Sequence, residues 1–120
     1  MKANELMVGD WVRHINGTPY QVTCIKDGHF ACGIPHLWEY NNKFEPILLT
    51  AKILEKNGFM RFSTSYLLEG KHFVLGNPSN PKQYMDNYWL RVSNRDIHIE
   101  YVHELQHALR LCGIEKTIEL

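Results

Sequence analysis

Short strand-like apolar stretches, separated by turn residues, dominate the first 45 residues of the chain. Four of them follow one another: Leu6–Arg13, Pro19–Ile25, His29–Ile34 and Leu37–Tyr40. Pro19–Ile25 alternates between apolar and polar residues with period two, which is typical of a strand with one buried face. Asn16-Gly17 and Asp27-Gly28 lie between strands, and both dipeptides favour hairpin turns because their residues tolerate positive φ. The pattern predicts a four-stranded meander of the kind found in SH3-like barrels.

A helical pattern begins near residue 49. Thr50 can cap the helix at its amino end, Ile53 and Leu54 give it an apolar side, and Gly58 is suited to end it. Strand-like segments then resume, with a long polar loop predicted from Gly76 to Asn87. These segments are Phe59–Leu68, Lys71–Leu75, Tyr88–Val92 and Asp96–Glu100.

A second helix is predicted from about Tyr101 to Cys112. Its apolar positions recur every three to four residues, at Val102, Leu105, Leu109 and Cys112. Gly113 is expected to end this helix, and residues 114–120 are expected to add an edge strand.

The fold class predicted from these patterns is α+β. An SH3-like β-barrel or meander is expected over residues 1–48. Residues 49–120 are expected to form an α+β subdomain, in which a short helix is followed by an antiparallel sheet closed by the C-terminal helix. The second subdomain is expected to pack on the first or to form one continuous domain with it.

Charge and composition narrow the classes of partner. Thirteen basic and thirteen acidic residues give a formal net charge of zero, whereas a duplex-binding domain normally carries a positive excess. No apolar stretch approaches the roughly 20 residues that span a bilayer, and no export signal is evident at the start. Three cysteines without a CxxC pair favour a reducing compartment. We therefore expect a cytoplasmic protein without a membrane association, for which a protein partner or self-association is favoured over nucleic acid.

His103-Glu104-Leu105-Gln106-His107 matches the HExxH pattern of zinc metallopeptidases. In that pattern two histidines one helical turn apart bind Zn²⁺, and the glutamate acts as general base on a zinc-bound water. The usual extension is missing, because Arg110 and Gly113 stand where its glycine and third histidine belong. Arg110 would also repel the cation. The favoured interpretation is a wetted polar face formed by His103, Gln106, His107 and Arg110, with no metal. The zinc hydrolase, with His103 and His107 as ligands and Glu104 as base, is the alternative.

Two weaker sites come from the first half of the chain. Four residues could form a Cys₂His₂ metal site, but their spacing matches no common zinc module and buried thiols are the favoured interpretation; they are Cys24, His29, Cys32 and His36. Aromatic residues could line a peptide groove or bind single-stranded nucleic acid; they are Trp11, Tyr20, Phe30, Trp38 and Tyr40. For Trp11 and Phe30 we expect core positions instead.

Three segments resemble a group of small uncharacterised proteins of gut bacteria, their prophages and other mobile elements. They are Met1–Val12, Ile47–Phe59 and Ile99–His107, and the stretch from Tyr101 to Gln106 is the most specific. The resemblance implies a bacterial and mobile-element context but no established activity.

Together these observations predict a non-enzymatic interaction or accessory protein of phage or mobile-element origin. They predict an exposed apolar or aromatic patch of roughly several hundred Å² on its surface.

Overall fold

Two antiparallel sheets and two α-helices make up the part of the chain that the computed structural model describes, namely residues 1–33, 37–38, 41–62, 65–68, 70, 73–76, 88–92 and 95–120. Each sheet has five strands among these residues. The chain divides into two compact units, Met1–Ile47 and Leu48–Leu120. The predicted α+β class is thereby confirmed.

The first unit contains one sheet with the strand order β4-β3-β2-β1-β5. Its strands are β1 (Trp11–His14), β2 (Pro19–Lys26), β3 (His29–Cys32), β4 (Leu37–Trp38) and β5 (Phe44–Pro46). Short 3-10 helices, Ala3–Glu5 and Asn41–Lys43, precede β1 and β5. The pairing of β2 with β3 shifts register between Val22 and Cys24. Such a bulge bends a strand and increases its twist.

The turn between β2 and β3 explains why this hairpin forms where the sequence indicates it. Asp27 and Gly28 are the two residues between the strands, and their φ angles are 51° and 77°. Positive φ at both central positions defines a type I′ turn, whose twist matches that of the flanking strands. The predicted Asp27-Gly28 turn is confirmed.

The core of the first unit lies on one side of its strands. Its buried members are Ala3, Leu6, Val12, Val22, Phe30, Cys32 and Phe44, with Met1 and Tyr20 packed against them. The rings of Phe30 and Phe44 are 5.1 Å apart between centroids. The core position predicted for Phe30 is confirmed. For Trp11 the prediction is wrong, because its neighbour Val12 takes the buried position of β1 and Trp11 is only partly buried.

The second unit contains a sheet with the order β10-β9-β8-β7-β6. Its strands are β6 (Phe59–Phe62), β7 (Ser65–Leu68), β8 (Val74–Gly76), β9 (Tyr88–Val92) and β10 (Arg95–Ile99). The segment predicted as one strand over Phe59–Leu68 is therefore two strands paired as a hairpin. Gly76 ends β8, and the rest of the predicted loop, 77–87, lies outside the described residues.

Helix α1 spans Ala51–Lys56. The hydroxyl oxygen of Thr50 accepts a hydrogen bond from the Ile53 backbone N–H at 3.3 Å, which satisfies one of the donors left open at a helix start. Gly58 follows the helix with a φ of 83°, a value that a side chain would disfavour. The predicted cap and stop are both confirmed.

Helix α2 spans Val102–Leu111 and buries Val102, Leu105 and Leu109 on its apolar side. The backbone N–H of Ile114 donates to the Leu109 carbonyl at 2.9 Å, and that of Gly113 donates to the Arg110 carbonyl at 3.0 Å. This pair of bonds is a Schellman motif. The helix thus ends before Cys112, which is exposed, so the predicted inward position of Cys112 is wrong.

The C-terminal segment after α2 has no strand, so the edge strand predicted for residues 114–120 is wrong. Ile118 is buried. The side-chain amide of Asn57 forms hydrogen bonds with both backbone groups of the next residue, Glu119. Its Nδ2 donates to the Glu119 carbonyl at 2.7 Å, and its Oδ1 accepts from the Glu119 backbone N–H at 2.8 Å. The Glu119 backbone is therefore bonded to the side chain of Asn57, and not to a neighbouring strand as an edge strand would be.

Candidate functional site

The HExxH residues lie in the first two turns of α2, where the glutamate has a structural task. Oε1 of Glu104 accepts hydrogen bonds from the backbone N–H groups of Glu100 and Tyr101, at 3.0 and 2.9 Å. Glu104 is the third residue of the helix and reaches back to its start, as the acidic member of a capping box does. A carboxylate at this end also interacts favourably with the helix dipole. The geometry gives Glu104 the role of a helix cap.

The two histidines of the motif lie next to each other on α2. The His103 and His107 rings are 5.7 Å apart between centroids and meet edge to face, while the Tyr101 ring stacks on His103 at 5.8 Å. The Glu100 carboxylate beside Tyr101, with burial and Glu104 adding to its effect, raises the pKa of that phenol. Tyr101 therefore stays a neutral ring in this stack at neutral pH.

The predicted wetted face of α2 is wrong for two of its four residues. His103 is 6% exposed and Gln106 is 8% exposed, whereas His107 is half-buried and only Arg110 is exposed. Apolar periodicity identifies the side of a helix that packs inward, but it does not show what covers the flanks. Gln106 borders the same cleft as residues 113–117, so the C-terminal segment runs beside this flank.

The zinc alternative fits these side chains poorly. A catalytic zinc site takes three protein ligands and a free base. In the described part of the chain, no three or more His, Cys, Asp or Glu side chains are grouped so that they could hold a metal ion. The Glu104 carboxylate is also engaged at the helix start. We derive no hydrolytic step from His103, Glu104 and His107.

Replacement of Glu104 tests the cap directly. We expect Glu104→Ala to lower the free energy of unfolding by about 1 kcal/mol, the usual effect of a lost cap. Glu104→Gln should cost less, because its amide oxygen can still accept both hydrogen bonds. Urea unfolding of the two variants measures this order. Equal stability of both variants with the unchanged chain would contradict the capping role.

The metal content of the protein distinguishes the role of Glu104 as a helix cap from its role as the base of a zinc hydrolase. We expect elemental analysis of the purified chain to find far less than one zinc per chain. A content near one zinc, lost in His107→Ala, would restore the zinc hydrolase.

The possible Cys₂His₂ set is not brought together. Cys24 lies opposite Ala31 in the β2–β3 pairing, while Cys32 lies opposite Val22. Because neighbouring residues of a strand point to opposite faces, the two thiols lie on opposite sides of the sheet. Burial raises the pKa of Cys32 to about 11, so its thiol is protonated and unreactive at neutral pH. His36 lies outside the described residues.

The aromatic residues of the first unit do not form the predicted common groove. Phe30 is in the core, Trp11 and Tyr20 are partly buried, and Trp38 is exposed on β4. Tyr40 lies outside the described residues.

One face of the second sheet carries large apolar side chains that are exposed or half-buried. Residues directly opposite in antiparallel strands share a face, and the pairings place the following residues on this one: Met60, Phe62, Leu67, Val74 and Trp89. We call this set the apolar face. Phe62 is 72% exposed, Met60 57% and Val74 42%. Other residues of the same strands, such as Phe59, Leu68 and Leu75, are buried on the opposite side.

Two small residues lie between large ones at the end of the apolar face that is nearest the turn between β6 and β7. One cross-strand row runs from Phe62 through Ser65 and Gly76 to Trp89 and His98. Neighbouring strands lie about 4.8 Å apart, so the backbone positions of Phe62 and Trp89, three strands apart, are separated by about 14 Å. Only the small residues Ser65 and Gly76 stand between them. Among the described residues, the nearest heavy atom that a β-carbon placed on Gly76 would meet is the Ser65 hydroxyl oxygen, at 3.8 Å. We call the space above these two residues the hollow.

Sequence analysis predicted an exposed apolar patch but did not locate it on the second sheet, although a signal was present. In Phe59–Phe62 every residue except Arg61 is apolar, and in Val74-Leu75 both residues are apolar. Both faces of these strands therefore carry apolar residues. A strand with one solvated face alternates, whereas one that is covered on both faces does not. Loss of alternation is therefore the pattern that could have identified it.

A separate cleft of about 610 Å³ lies beside the end of α2. Gln106, Arg110, Glu115 and Lys116 contribute to its lining. The cationic and anionic side chains oppose each other there, and the carbonyl end of a helix disfavours anions. The charges on its lining are mixed, so we propose no ligand for this cleft.

Comparison of the chain with models of known protein families, with curated proteins and with solved structures gave no match. Neither helix in the described ranges has the length and apolar character needed to cross a bilayer.

Proposed function

We propose that the chain is a non-enzymatic interaction protein that binds a protein surface through the apolar face. The observation that carries this proposal is the joint exposure of Phe62, Met60 and Val74 on one side of a sheet. A fully exposed phenylalanine presents about 200 Å². The three side chains together therefore present roughly 300 Å² of apolar surface, which is in the range of functional patches on soluble proteins.

The charge of the chain favours a protein as the partner. A net charge of zero provides no long-range attraction to phosphate groups. Interface centres are enriched in aromatic residues and methionine and are poor in charged residues. Phe62, Met60 and Trp89 have this composition.

For the first unit we propose an SH3-like fold. Three features support it: the strand order β4-β3-β2-β1-β5, the bulge in β2 that lets one strand serve two parts of a curved sheet, and the 3-10 helix just before β5. A role as an accessory protein of phage or another mobile element is proposed from the sequence resemblance alone.

A photo-crosslinking residue at position 62 tests the proposed binding surface. The chain carrying it is expressed in its source cells and irradiated, and covalent adducts are detected by mass. We expect adducts from position 62 and none from position 111. Leu111 is the matched control, because it is also a large apolar residue and is 85% exposed on α2. Equal labelling from both positions, or none from position 62, would contradict the proposal.

A further inference from the structure

The apolar face has a projection and a depression on the same surface. Phe62 projects from β6, the last strand of the sheet order, and is 72% exposed. The hollow above Ser65 and Gly76 begins one strand further in, on the same cross-strand row. A surface that carries both a projection and a matching depression meets the geometric condition for pairing with itself around a two-fold axis.

We propose that two copies of the chain pair through their apolar faces, with Phe62 of each copy in the hollow of the other. This inference rests on the proposed function and names its partner, a second copy. A two-fold axis parallel to the strands, running between Phe62 and the hollow, places both phenylalanines at once. The strands of the two sheets then run nearly parallel about 10 Å apart, as in aligned sheet packing.

The charge balance permits this pairing. Thirteen basic and thirteen acidic residues leave no net repulsion between two copies. A partner of a different sequence would have to supply an aromatic side chain of its own for the hollow, whereas a second copy supplies Phe62 from the same surface.

The area of the apolar face sets the size of the interface that two copies can form. Its three most exposed side chains supply roughly 300 Å² of apolar surface per copy. Interfaces are about 55–65% apolar, so the whole interface would bury about 500 Å² per copy, near the lower limit for a specific contact. An interface of this size is typical of weak, transient contacts, so we expect a reversible dimer with a dissociation constant in the micromolar range.

Sedimentation velocity across a concentration series tests the dimer. The full chain should rise in mass from 14.1 kDa towards twice that value as its concentration increases from about 5 to about 500 µM, a range that brackets the expected dissociation constant. Phe62→Ser removes the projection and should weaken pairing at least tenfold. Leu111→Ser removes an equally exposed apolar residue elsewhere and should pair like the unchanged chain.

Gly76→Val tests the hollow from the other side. We expect valine to fill it without strain, because Gly76 has no positive φ and, among the described residues, its β-carbon would meet only the Ser65 hydroxyl at an ordinary contact distance. A branched residue also suits a strand. This variant should therefore unfold at the same or a higher urea concentration and yet stay monomeric. Loss of pairing in this stable variant cannot be attributed to unfolding.

The outcomes separate this inference from the proposed function. A wild-type chain that stays monomeric throughout the series overturns the dimer, as do Phe62→Ser or Gly76→Val chains that pair normally. If the monomeric chain still gives a position-62 adduct with a different protein, the proposed function stands and only the dimer is wrong. If neither the dimer nor a position-62 adduct is found, the dimer and the proposed function are both wrong.

Discussion

Phe30→Ala is expected to unfold the first unit. Phe30 is fully buried and its ring contacts Phe44. Truncation of a buried phenylalanine to alanine costs about 3–5 kcal/mol through lost burial and the cavity that remains. The first unit comprises residues 1–47, and a unit of this size has little stability to lose.

The Cys32 thiol reports on this unit. It is buried in the same core, and burial raises its pKa to about 11. In the folded unit it should not react with a disulfide reagent at pH 8, because the thiolate is the reactive form. Unfolding restores an ordinary pKa and access, so Phe30→Ala should make it react at once. The measurement uses a chain with Cys24→Ser and Cys112→Ser, in which Cys32 is the only thiol.

Trp38→Ala is the matched control, because it removes a large aromatic residue that is exposed in the same unit. Cys32 should stay protected in this variant. Continued protection of Cys32 in Phe30→Ala would show that the first core does not depend on that ring.

The second large effect is expected from Asn57→Ala. The buried Asn57 amide donates to the carbonyls of Ile53 and Glu119, at 2.8 and 2.7 Å, and accepts from the Glu119 backbone N–H at 2.8 Å. Alanine would leave the Glu119 carbonyl and the Glu119 backbone N–H without this partner, whereas the Ile53 carbonyl would keep the backbone N–H of residue 57, at 3.2 Å. Each buried polar group left unsatisfied costs about 1–3 kcal/mol, so we expect a loss of about 2–4 kcal/mol in the free energy of unfolding.

Urea unfolding measures the total loss, and hydrogen exchange locates it. The Glu119 amide proton should be protected in the unchanged chain and exchange rapidly in Asn57→Ala. Asn42→Ala makes the same chemical change at an exposed position and should alter stability by less than about 0.5 kcal/mol. A protected Glu119 amide in Asn57→Ala would refute the role of this side chain.

Features set by neighbouring residues could be predicted from the sequence. The Asp27-Gly28 turn, the Thr50 cap and the ends of α1 and α2 at Gly58 and Gly113 follow from the conformational preferences of a few adjacent residues. The β9–β10 hairpin could be predicted for a similar reason, since two apolar runs flank a short polar turn.

Features set by distant residues could not be predicted. Residues 114–120 have apolar positions suitable for a strand, but the partner of Glu119 is a side chain 62 positions earlier. The burial of His103 and Gln106 likewise depends on what covers the flanks of α2. Periodicity describes one segment at a time and contains no information about such neighbours.

The HExxH motif shows the same limit at a candidate site. Its spacing places two imidazoles on adjacent turns, and the structure has them there. The spacing does not reveal that Glu104 already has two backbone donors. Sequence analysis could have raised the cap as an interpretation, because Glu104 is the fourth residue counted from Tyr101 and acidic residues are favoured in the first turn of a helix.

At Gly76, stability of the fold and association of two copies favour different residues. A glycine in a strand costs up to about 0.5–1 kcal/mol relative to alanine, and Gly76, the last residue of β8, has a backbone conformation that accepts a side chain and no close contact among the described residues to prevent one. Selection for heat resistance alone should replace Gly76 early with valine or threonine. Selection that also demands association should retain the glycine, so the two regimes would yield different residues at this single position.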